Sequence, residues 1–102
     1  ASSTAKRLPD YPKVPTIAES GYPGFEASSW YGLEVKAGTP PEIVKRLSTE
    51  LAKIMKMPDV KERLDQLSTV AVGSTPEEFA KFQKAEQEKW NKVIQKGNIQ
   101  PD

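Results

Sequence analysis

Cysteine and histidine are both missing from the 102 residues. Without cysteine there is no disulfide, no thiolate nucleophile and no sulfur-ligated zinc. Without histidine there is no Ser-His-Asp or Cys-His constellation, no imidazole base and no His-based metal site. The lack of cysteine fits a reducing cytosol and a secreted protein equally, so it does not choose a compartment. No apolar run approaches 18 residues, and the first residues do not follow a basic-then-apolar signal pattern. An excess of one charge is absent too: 15 Lys and Arg against 14 Asp and Glu leave a net charge of +1. That balance gives no long-range field to gather nucleic acid or an anionic membrane, and Lys6-Arg7 and Lys45-Arg46 are the only adjacent basic pairs. What remains is one lean, soluble domain with no catalytic constellation and no cofactor.

Proline and glycine mark the first boundary. Residues 1–41 hold six of the nine prolines and four of the six glycines. Pro9, Pro12 and Pro15 recur every third residue; each fixes its own φ and pushes its predecessor out of the helical region, which predicts a stiff extended arm. Thr16-Ile17-Ala18-Glu19 has the form of a capping box, so a single helical turn ending at Gly21 is expected. Tyr22-Pro23-Gly24-Phe25 reads as a turn rather than a phosphate loop, because the G-x-G-x-x-G spacing is absent.

Ser28–Val35 is the best strand by composition, with Tyr31, Leu33 and Val35 on one side and Trp30, Gly32 and Glu34 on the other. Gly32 in mid-strand asks for something packed close to the backbone, a helix in preference to a ligand. Thr39-Pro40-Pro41-Glu42 then places Thr39 at an N-cap with Glu42 at N3. Ile43, Leu47, Leu51 and Ile54 recur at helical spacing, giving a helix over about 40–56. Pro58 begins a second over 58–67, residues 69–73 read as a short strand, and Thr75-Pro76-Glu77-Glu78 caps a third helix over 76–95 that closes at Gly97. Phe79, Phe82, Trp90 and Val93 line its apolar face, with Glu86 interrupting the stripe and needing water or a lysine such as Lys84 or Lys89. Five lysines against four glutamates on this helix exclude a basic membrane-surface helix.

These elements do not balance. Two short strands give too little sheet for the apolar faces the helices present, which predicts a piece of a larger α/β domain or a chain that completes itself by association. Among the acids, Glu77 and Glu78 point to different sides of their helix, Asp59 and Asp65 do not share a face, and no calcium loop is present.

Specific strings carry a resemblance. Leu8-Pro9-Asp10, then Val14-Pro15-Thr16-Ile17-Ala18-Glu19-Ser20-Gly21-Tyr22-Pro23-Gly24-Phe25-Glu26, then Trp30-Tyr31-Gly32-Leu33 and Ala37-Gly38-Thr39-Pro40, resemble the C-terminal third of the Bug family, the periplasmic solute receptors of tripartite tricarboxylate transporters. Thr75–Phe79 and Trp90–Ile94 fit the same family in order and spacing. The chain departs from the family pattern by the inserted Tyr11-Pro12-Lys13, by Glu34-Val35-Lys36 in place of an apolar run with proline, and by Leu67-Ser68-Thr69, which lacks a glycine.

The resemblance implies an α/β fold: the C-terminal fragment of a two-domain, type II-like periplasmic binding protein, helix-rich with two or three short strands. Residues 1–28 would form the edge of the second lobe, the proline-rich arm and one short helix. Residues 29–102 would supply a crossing strand over 28–35 and the end of the first lobe. The implied function is capture of a small organic carboxylate and its delivery to membrane transporter subunits, without catalysis, in the periplasm of a Gram-negative bacterium. The partners of the chain itself would be the missing N-terminal portion or a second copy, and the alternative function is an oligomerising module with no ligand site. The family's main ligand-holding loops lie outside the matched third, so Trp30, Tyr31 and Gly32 beside the hinge are the candidate ligand neighbours. Thr16 with Glu19, Thr39 with Glu42, and Thr75 with Glu78 are structural caps.

Overall fold

The computed structural model describes residues 1–101. Regular structure there consists of three helices: α1 (Pro41–Ile54), α2 (Pro58–Gln66) and α3 (Pro76–Gly97). The α/β expectation is overturned, since no strand or sheet forms among the described residues and the β pairing they show is one isolated parallel bridge between Ser2 and Thr16. The reason lies in what makes a strand. Alternating side chains and β-propensity are not enough; a ladder to a neighbouring segment defines the element. Neither 28–35 nor 69–73 joins such a ladder, and both run as irregular chain.

The chain divides into two units: Ala1–Thr39 with Glu62–Val70, and Pro40–Lys61 with the residues from Ala71 onward. In the first, the proline arm is not extended. Tyr11 N–H donates to the Leu8 carbonyl and Val14 N–H to the Tyr11 carbonyl, both at 3.0 Å, which makes two successive β-turns with Pro9 and Pro12 in second position. The φ that proline enforces suits that position as well as it suits an extended chain, and the residue before each proline keeps its non-helical geometry as the turn's first residue. A third turn closes from Phe25 N–H to the Tyr22 carbonyl at 3.0 Å, with Gly24 at φ 79° supplying the positive φ it needs.

In the second unit, Thr75 caps α3. Its hydroxyl accepts from Glu78 N–H at 3.2 Å, and the Glu78 carboxylate accepts from Thr75 N–H at 2.8 Å. Thr39 does not do the same for α1. Pro40 is the N-cap, no side chain caps the helix, and the Thr39 hydroxyl instead donates to the Lys36 carbonyl at 2.7 Å. Pro41 causes this by excluding the residue before it from helical geometry, so Pro40 sits at ψ 135° and the helix opens one residue late. Glu42 is left in the first turn as a favourable charge without a capping bond. Nor is Gly97 the left-handed residue that closes α3. Asn98 takes that conformation at φ 47°, while Gly97 stays helical and leaves room for Ile99, whose carbons lie 3.2–3.3 Å from where a Cβ would stand.

No apolar side chain among the described residues is buried, and Phe82 and Trp90 are each 41% exposed. Composition predicts a shortage of covering surface, and the exposed apolar side chains show it, with irregular chain in both segments that read as strands.

Candidate functional site

The residues that chemistry can use fall into three local groups, two in the first unit and one in the second. Around Thr16, the hydroxyl accepts from Glu19 N–H at 3.1 Å and the Glu19 carboxylate accepts from Thr16 N–H at 2.8 Å, so the capping bonds close in both directions. Thr16 is 2% exposed, the one buried residue among those described. Arg7 reaches the same carboxylate through Nε, at 2.9 and 3.1 Å to the two oxygens, and its Nη1 donates to the Pro12 carbonyl at 3.0 Å. The Arg7 hydrogen bond first, and the Thr16 amide second, hold the Glu19 carboxyl below its usual range. Charges twelve residues apart carry no local periodicity, so this pair has no signature in the sequence.

The second group is the run proposed to lie beside a hinge. Trp30 is 41% exposed and Tyr31 89%, and Gly32, Leu33 and Val35 are exposed as well. Just before it, the Ser28 hydroxyl oxygen is buried without a hydrogen-bond partner. The group thus presents aromatic and aliphatic surface. On α3, the third group, Glu86 accepts from the Trp90 indole N–H at 2.9 Å and from Lys89, whose ammonium lies 5.3 Å from the Trp90 ring centroid. Lys89 first and Trp90 second lower the Glu86 carboxyl. The charge that interrupts the aromatic stripe is satisfied by the next turn of its own helix. Among the described residues no three acids cluster as a metal site, and no helix is long and apolar enough to cross a membrane.

The relatives of this chain are much longer than it is. A UPF0065 protein in the tcbD–tcbE intergenic region of Pseudomonas sp. strain P51 is 46% identical over 86% of this chain, which covers 26% of that protein. Protein BugT of Bordetella pertussis is 31% identical over 89% of the chain and 28% of its own length. A solved structure, R. palustris Rpa4515 with adipate, superposes with a TM-score of 0.82 at 35% identity, over 98% of this chain and 33% of that one. The chain thus spans between about a quarter and a third of these relatives. A family model described as the tripartite tricarboxylate transporter family receptor matches residues 1–99, and the chain belongs to this family of periplasmic, non-catalytic receptors of Gram-negative bacteria.

Proposed function

We propose that this chain is the C-terminal third of a receptor that captures a small organic carboxylate and delivers it to membrane transporter subunits. The observation that carries the reading is the likeness of nearly the whole chain to one third of a receptor solved with adipate, a dicarboxylate. Trp30, Tyr31 and Gly32 are the ligand neighbours or hinge residues on this reading, and they supply packing surface while the charge-recognising donors come from the remaining two-thirds. Closure of two lobes about that segment is the mechanism.

The chain has two tryptophans, Trp30 and Trp90, so fluorescence can be assigned. In a receptor of family length that ends in this chain, with Trp90 and every tryptophan outside this chain replaced by Phe, titration with adipate and with citrate should show a saturable change at Trp30. A Trp30→Phe variant should then bind more weakly. A saturable heat of binding with silent Trp30 fluorescence would retain the receptor and remove Trp30 from the site; no binding to either acid would remove the carboxylate reading.

A second reading has its own support. With no apolar side chain buried, self-association is the alternative by which this chain alone covers its surface. Sedimentation at low micromolar concentration distinguishes the two, with a dimer favouring association.

A further inference from the structure

We propose that Arg7 and Glu19 form a latch that sets the position of the chain entering the Trp30 segment, with both acting as positioning residues. The observations begin at the backbone. Ser2 N–H donates to the Pro15 carbonyl and Ile17 N–H to the Ser2 carbonyl, both at 2.9 Å, which lays residue 2 beside Thr16. On its next residue, the Ser3 carbonyl accepts from Ala27 N–H at 2.9 Å. The first few residues thus touch both the Thr16 turn and the segment leading to Trp30. Two or three isolated hydrogen bonds, each worth roughly 0.5–1.5 kcal/mol net, do not hold an N-terminal stretch in place by themselves.

Arg7 supplies the second fastening. The Thr4 hydroxyl lies 2.7 Å from the Lys6 carbonyl and bends the chain there, after which the Arg7 guanidinium grips Glu19 and the Pro12 carbonyl. The segment 2–7 is therefore tied to 15–19 at both of its ends, by backbone at Ser2 and by side chain at Arg7. Glu19 is itself fixed by its bond from Thr16 N–H, so the guanidinium meets a carboxylate already held in place. Isolated surface ion pairs contribute little, but here one carboxylate and one guanidinium join three stretches of chain. The inference does not depend on whether Trp30 meets a ligand.

Amide hydrogen exchange in a receptor of family length that ends in this chain, followed by NMR at neutral pH, tests it. Arg7→Ala and Glu19→Gln should speed exchange at Ile17 and Ala27 about 3–10-fold, with α3 amides unchanged in the same samples. Glu19→Gln keeps an oxygen for Thr16 N–H, so it separates the latch from the cap. Arg7→Lys should recover part of the protection at Ala27, and 1 M salt should weaken the wild-type protection there. Wild-type exchange at Ala27 in both variants would overturn the latch. So would loss of protection throughout α3, because the effect would then be global unfolding.

Discussion

The two units are held by different kinds of contact. In the second, α1 and α3 are started and stopped by residues within a turn of their ends: Pro40-Pro41 at one, Thr75 with Glu78 and Asn98 at the other. In the first, the defining contacts join residues a dozen or more apart, Ser2 to Pro15, Ser3 to Ala27, and Arg7 to Glu19. Local chemistry sets where these helices begin and end, whereas the contacts of the first unit form only if distant residues meet. Substitution at the same type of cap should therefore cost more in the first unit than in the second.

Thr16→Ala should have the largest effect, a loss of about 2 kcal/mol, at the upper end for a cap because the hydroxyl is buried. Unfolding in urea read by Trp30 fluorescence, in a Trp90→Phe background, measures it. Thr75→Ala should cost about 1 kcal/mol, read as earlier loss of helical circular dichroism, since its capping bonds are exposed. If Thr75→Ala costs more than Thr16→Ala, the contrast between the units fails.

Helix ends sharpen the contrast in the other direction. Thr69 N–H bonds to the Leu64 carbonyl and Ser68 N–H to the Asp65 carbonyl, and Ile99 and Asn98 bond to Ile94 and Gln95 in the same pattern. Both α2 and α3 thus end in a Schellman motif whose left-handed residue is not glycine, Ser68 at φ 51° and Asn98 at φ 47°. Serine bears more of the left-handed strain than asparagine. Ser68→Gly should raise stability by about 1 kcal/mol and Asn98→Gly by a few tenths, in the same urea experiment.

Acid should act on both units with one sign and separable causes. The carboxyls of Glu19 and Glu86 titrate below the ordinary 4.5 in the folded chain, so each contributes stability above that value and loses it as pH falls through the folded pKa. Glu19 is exposed and Glu86 partly buried; the effect on unfolding is small, but side-chain NMR resolves it. Arg7→Ala should bring the Glu19 midpoint up and leave Glu86 where it is; Lys89→Ala should do the reverse. Movement of both midpoints in either variant would mean that the two carboxyls sense a common field rather than separate partners.

What the sequence made legible follows the same division. Thr75-Pro76-Glu77-Glu78 and the Tyr22–Phe25 turn can be read because each is written within four residues. The proline arm is ambiguous in sequence because fixed φ values suit a turn and an extended chain alike, and only the hydrogen bonds across Leu8–Tyr11 and Tyr11–Val14 choose. Strand composition misleads at 28–35 because the segment has no ladder to a neighbour. At the candidate site, the capping bonds of Glu19 were foreseeable and its guanidinium partner was not. The exposure of Trp30 and Tyr31 follows from what surrounds the segment and not from its own letters.

The smallest direct effect is expected at Thr39. Thr39-Pro40-Pro41-Glu42 and Thr75-Pro76-Glu77-Glu78 differ in one relevant letter, the second proline. In α1 that proline holds Pro40 outside the helix, so the Thr39 hydroxyl is one residue too far back to reach an orphan amide. Thr39→Ala should therefore change stability by less than about 0.5 kcal/mol. Pro41→Ala should release Pro40 to become the first helical residue, bring Glu42 to N3 and make Thr39 the cap, as Thr75 is in α3. In that background Thr39→Ala should cost about 1 kcal/mol, and the coupling between positions 39 and 41 in a double-mutant cycle should be of the same size. Additive effects would show that something other than the second proline keeps Thr39 from the helix.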